Sequence, residues 1–122
     1  MLGLDPDPRE LWPASDAGPG ELPPQQRAAD AVQHHCRALI DATAEACVAV
    51  KLQLARFEAL AAAGWSALEA VAAHARRRGL LVIADGKRGD IDVSARAYAG
   101  ALPVSGTNSA LSGRLYNSST LR

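Results

Sequence analysis

Leu80-Leu81-Val82-Ile83-Ala84-Asp85-Gly86-Lys87-Arg88-Gly89-Asp90-Ile91 decides how this chain is read. A short β-branched apolar run climbs into charges of alternating sign spaced Asp-x-Lys-x-x-Asp, with glycines between them. An uninterrupted run of Leu, Val and Ile predicts a buried parallel strand. Side chains alternate along a strand, so Asp85 and Lys87 are expected to leave the same face at its carboxyl end. In α/β folds that end is where ligands bind.

Working outward, the 122 residues suffice for one small domain with a modest core. Acidic and basic residues balance at 13 each, so no strong field points to nucleic acid or a charged membrane surface. Aromatics are only 4% of residues, which leaves the core to Ala, Leu and Val. No apolar run approaches the roughly 20 residues of a membrane span. The amino terminus lacks a basic segment leading into an apolar one, so a soluble cytoplasmic protein is expected. Without a secretory context, Cys36 and Cys47 read as free buried thiols rather than a disulfide.

Upstream, Met1-Leu2-Gly3-Leu4 reads as a very short strand closed by Asp5-Pro6-Asp7-Pro8, since each proline holds its predecessor extended. The Pro- and Gly-rich segment from Leu11 to Gly20 reads as irregular, with Trp12 as an apolar loop anchor. A helix is expected from about Gln25 to Ala46, with Val32, Cys36, Leu39, Ile40 and Thr43 on one face. His34 and His35 are adjacent and face different ways, so they read as solvated rather than as a metal pair. Cys47-Val48-Ala49-Val50 reads as a second strand ending in Lys51, either a snorkelling lysine or a second charged strand end. Helix is expected from Leu54, broken at Gly64 and resuming from Trp65 to Arg78, with Leu68, Val71, Ala72 and Ala75 buried. Arg76-Arg77-Arg78 before Gly79 reads as a helix end, not a nucleic-acid patch, because cations complement the dipole and glycine supplies a left-handed cap.

A last helix is expected over Val93 to Leu102, giving the order β-α-β-α-β-α and hence parallel strands. From Pro103 the sequence turns to Ser, Thr, Asn and Gly without periodicity, so residues 103–122 read as an irregular or disordered tail. Asp85, Lys87 and Asp90, with Lys51 one strand away, are expected to form a cluster in which interleaved ammonium groups keep the carboxylates ionised.

At these residues the chain resembles a known family. Asp85-Gly86-Lys87-Arg88-Gly89-Asp90-Ile91 is similar to the Asp-x-Lys-Arg-Gly-Asp-Ile signature of one subgroup of orotidine 5′-phosphate decarboxylases. Gly3-Leu4-Asp5-Pro6, Val50-Lys51-x-Gln53 with Phe57-Glu58, Gly79 to Asp85, and Ala97-Tyr98-Ala99 resemble further segments of that family in the same order. The resemblance runs from about Leu2 to Leu102. It implies an α/β fold, a (β/α)8 TIM barrel of which residues 1–102 supply about the first three β/α units. It also implies conversion of orotidine 5′-monophosphate to UMP and carbon dioxide in pyrimidine biosynthesis, without metal or organic cofactor, in a homodimer with shared active sites.

By that resemblance, Asp85 sits against the substrate carboxylate. Lys87 stabilises and then protonates the carbanion at C6 of the pyrimidine, and Lys51 completes the charge network and touches the ribose. Asp90 reaches into the partner's site, which Ile91 and Ser94 line, while Asp5 accepts from a ribose hydroxyl. Leu52 stands where the subgroup has Pro, and Arg56 where it has an aromatic residue. A full barrel needs about 250 residues and grips phosphate with the loops after strands 7 and 8. The chain therefore reads as an amino-terminal part that lacks the helix before strand one and strands four to eight, and is expected to be inactive alone. Two other readings remain open: a magnesium-dependent sugar-phosphate lyase of the same barrel type, and a non-catalytic α/β fragment.

Overall fold

In a computed structural model of the chain, residues 1–11 and 22–87 are described. They form β1 (Leu2–Leu4), α1 (Pro24–Thr43), a 3-10 turn over Ala44–Ala46, β2 (Ala49–Gln53), α2 (Leu54–Glu58), α3 (Ala61–Arg77) and β3 (Leu81–Asp85). The strands make one parallel sheet in the order β1-β2-β3, as the alternation of strand and helix predicted. The helix expected over Val93–Leu102, Trp12 and the tail from Pro103 lie outside the described residues.

Among the described residues, helices cover one face of the sheet. Leu4, Val50 and Leu52 point into a core shared with Ala29, Val32, Cys36 and Ile40 of α1 and with Leu68, Val71, Ala72 and Ala75 of α3. Phe57 is fully buried in α2, the largest side chain of a core otherwise built from aliphatic residues and Cys36. Each such side chain contributes about 1.5–3 kcal/mol by burial, so many aliphatics replace the few aromatics the composition allows. On the sheet's other face, Leu81 and Ile83 are 50% and 40% exposed. This corrects the expectation that the third strand is buried: its Val82 and Ala84 pack on the core, while the alternate residues face no helix among the described residues.

Three further expectations shift. The second strand runs over Ala49–Gln53, so Lys51 stands at its centre, paired on one side with Gly3 and on the other with Ile83. The helix break lies at Ala59–Leu60 rather than at Gly64, and the chain enters α3 through Ala61 at φ 52, a left-handed value costly for any residue but glycine. Gly64 is instead inside α3, where its missing side chain lets the helix approach the Phe57 carbonyl. His34 is exposed as expected, but His35 is half-buried, and burial lowers its imidazole below the ordinary value.

Both ends of the long helices follow local chemistry. Pro24 occupies the first turn of α1, where its missing N–H is no loss. At the end of α3, Gly79 takes φ 78; its N–H donates to the Arg76 carbonyl and that of Leu80 to the Ala75 carbonyl. That is a Schellman closure, with buried Leu80 and Ala75 as its apolar contact, and it turns the chain directly into β3.

Two outcomes test this packing. A Cβ at Gly64 would stand 1.8 Å from the Phe57 carbonyl oxygen, a backbone atom that cannot rotate away. Alanine gains about 1 kcal/mol of helix propensity over glycine, but overpacking costs about 1–3 kcal/mol, so Gly64→Ala should lower stability in urea unfolding rather than raise it. Burial pushes the Cys36 thiol up to about 12, whereas Cys47 is only half-buried. Iodoacetamide at mildly alkaline pH should therefore modify Cys47 in the folded chain and Cys36 only after denaturation.

Candidate functional site

The charged residues stand just after β1, in the middle of β2 and at the carboxyl end of β3. Parallel pairing sets Gln53 opposite Asp85 and Lys51 opposite Ile83, so Lys51 and Asp85 share the face of the sheet opposite α1 and α3 on neighbouring strands. Lys51 Nζ donates to Asp85 Oδ2 at 2.8 Å, and both side chains are about one-third exposed, at 38% and 31%. The Asp85 carboxylate, by hydrogen bond and charge, raises the Lys51 ammonium above its ordinary value, and Asp5 adds to this. Of the two readings open for Lys51, the structure thus gives the charged partner rather than an ammonium reaching only for water.

Lys87 lies two residues beyond β3 and is exposed. Strand pairing ends at Asp85, so the ladder itself does not hold Lys87 on the face it shares in sequence with Asp85. Asp90, Ile91 and Ser94 lie outside the described residues.

Asp5 follows β1 directly, at the same end of the sheet, and here a residue that carried no role in the sequence reading enters. Arg56, in the first turns of α2, donates through Nε to Asp5 Oδ1 at 2.5 Å and through Nη1 to Asp7 Oδ2 at 3.3 Å. Asp7 in turn accepts from the Arg9 backbone N–H at 3.0 Å and from Arg9 Nη2 at 2.7 Å. Those bonds hold the Asp7 carboxyl well below the usual carboxylate range, and Arg56 is held charged chiefly by Asp5. The only sign of this clasp in the sequence is Arg56 itself, standing where the resembling family has an aromatic residue.

The arrangement can bind and orient. An ammonium fixed against a carboxylate offers a donor and an acceptor a few ångströms apart at a strand end, with a second acceptor, Asp5, beside it. Among the described residues, no group of three or more His, Cys, Asp or Glu side chains converges as a metal site would require. Among the same residues, no helix is long and apolar enough to cross a membrane.

No family model matches the chain. Its sequence relatives include orotidine 5′-phosphate decarboxylases. It is 43% identical over 98 residues to that of Roseiflexus sp. strain RS-1, covering 80% of this chain and 32% of the relative. It is 52% identical over 61 residues to that of Deinococcus radiodurans, covering 50% of this chain and 22% of the relative. Among solved structures, the chain matches a crystal structure assigned as an orotidine 5′-phosphate decarboxylase from Streptomyces avermitilis, with a TM-score of 0.57 and 34% identity. That match covers 62% of this chain and 28% of the other. The chain thus spans about a third of the length of the curated relatives it matches, and its three-stranded parallel sheet with the helices between the strands corresponds to part of a barrel enzyme of that kind.

The Lys51–Asp85 contact makes a signed prediction. A lysine raised in the folded state contributes stability that is fully present below the ordinary lysine value of 10.5 and is lost as pH climbs through the raised one. The stability gap between the native chain and Lys51→Met should stay level from about pH 6 to 9 and close in strongly alkaline buffer. Urea unfolding across that range measures it; a gap that widened on alkalinisation would contradict the pairing.

Proposed function

We propose that this chain carries the charged strand-end half of an orotidine 5′-phosphate decarboxylase site, which releases carbon dioxide from orotidine 5′-monophosphate to leave UMP. The observation that carries the reading is the 2.8 Å contact of Lys51 Nζ, from the middle of β2, with Asp85 Oδ2 at the carboxyl end of the adjacent parallel strand β3. The sequence relatives supply the reaction. Residues 1–102 are read as the amino-terminal portion of the barrel.

The chemistry asked of these residues is electrostatic and acidic. Lys51 holds Asp85 in one orientation, and Asp85 meets the substrate carboxylate. When the bond from C6 to that carboxylate breaks, carbon dioxide leaves and the electron pair stays on C6. The Lys87 ammonium stabilises this carbanion and then delivers a proton to C6, so no metal or organic cofactor enters the reaction. Lys51 and Asp5 meet the ribose hydroxyls. In the assembled enzyme, a cytoplasmic homodimer, Asp90 reaches into the partner's site beside Ile91 and Ser94. Phosphate binding comes from parts of the barrel beyond these three units, and that remote binding energy drives the step at C6.

A hybrid enzyme tests the reading. Residues 1–102 of this chain replace the matching segment of the Roseiflexus decarboxylase, and turnover is followed by the absorbance change on loss of the carboxylate. The hybrid should decarboxylate orotidine 5′-monophosphate, and Lys87→Ala or Asp85→Asn should each lower kcat by roughly a hundredfold or more. The 122-residue chain alone should show no turnover. A well-folded hybrid that is inactive, or one that acts only on a sugar phosphate with magnesium, would sink the assignment.

A further inference from the structure

Arg56 bridges two carboxylates that lie two residues apart in Asp5-Pro6-Asp7-Pro8. Both aspartates precede a proline, which confines each to extended backbone. The two acidic side chains are therefore presented by a stiff segment, as a preformed two-pronged acceptor for one guanidinium. Arg56 reaches it from α2, immediately after the strand that holds Lys51.

The two prongs differ. The Asp7 side chain is 11% exposed, and Arg9 also binds it through both carboxylate oxygens, so it is the anchored end. The Asp5 side chain is 62% exposed and meets Arg56 through Oδ1, which leaves the carboxylate open to a second donor from solvent. Exposed ion pairs contribute little stability, so the fold has small need of this one. What a bridging guanidinium does supply is direction: its planar fork fixes a carboxylate where a single ammonium would not. The two aspartates and the two arginines also balance in charge, so the clasp adds no net charge beside Lys51.

We propose that Arg56 is a positioning residue for Asp5, locking that carboxylate at the end of β1 so that it accepts a hydroxyl of the sugar while Lys51 and Asp85 hold the neighbouring subsite. This rests on the reading of the site given above and adds to it a residue that touches the substrate only through Asp5.

The test uses the hybrid enzyme described above, in which the rest of the barrel supplies phosphate binding, with uridine 5′-monophosphate as probe and carboxyl and lysine side-chain resonances read by 13C NMR. In the hybrid that keeps Arg56, the Asp5, Asp85 and Lys51 resonances should all shift on titration. In Arg56→Gln the Asp5 response should disappear while Asp85 and Lys51 still shift. The loss of one charge-assisted hydrogen bond should weaken the apparent Kd about tenfold. Arg56→Lys should restore part of the Asp5 response, a rescue that a merely structural role would not give. The amide spectrum checks that each variant is folded, and Arg56→Ala carries the same comparison if the Gln variant is not. An Asp5 response unchanged in Arg56→Gln or Arg56→Ala, with Asp85 and Lys51 responding, overturns the role of Arg56 alone. Silence of all three residues in the folded hybrid overturns the site reading, and this inference with it.

Discussion

The register of β2 against β3 is the constraint on which the rest depends. Because Gln53 pairs with Asp85, Lys51 falls two residues back on the adjacent strand and on the same face, within reach of the Asp85 carboxylate. A slip of one residue would turn Lys51 toward the helices and expose Leu52 and Val50, which are now fully buried. The apolar face and the charged pair therefore enforce one another: the residues that make the core also fix which residues meet at the strand ends.

Among the described residues, the helices secure that register from one side. α1 and α3 pack together over Leu4, Val50 and Leu52, and the Schellman closure at Gly79 delivers the chain from α3 into β3 at a set position. Opposite them the sheet shows Lys51, Leu81 and Ile83, a surface apolar at one end and charged at the other. In a closed barrel such a face lines the interior, where apolar side chains fill the bottom and polar ones gather at the carboxyl end. The three strands here carry both zones.

Much of this was legible in the sequence. The alternation of short β-branched runs with helical periods gives the parallel order directly, because only crossover connections of that length join neighbouring parallel strands. The α3 terminus was equally plain, since Gly79 after three arginines has one local use. The break between α2 and α3 was not: no glycine or proline marks Ala59–Leu60, and Ala61 accepts a left-handed conformation because packing of Phe57 and Leu60 overrides its own preference. Gly64 misled for the complementary reason, being selected for a close approach to a carbonyl rather than for a turn. The exposure of Leu81 and Ile83 was also hidden, since a run of apolar residues does not say whether one face or both are covered.

By itself the sequence determined the chemistry of the strand ends: which residues carry charge, in what order, and on which strands Lys51 and Asp85 stand. Side-chain alternation and the run of charges after Ile83 suffice for that, because both are local. Only the tertiary structure decided the partners. Lys51 could have met water, and Asp5 could have met Lys51; instead the sheet register brings Lys51 to Asp85, and the turn from β2 into α2 carries Arg56 to Asp5 and Asp7. Those contacts join residues 34, 51 and 49 positions apart, and no local rule of sequence specifies which of several opposite charges will arrive.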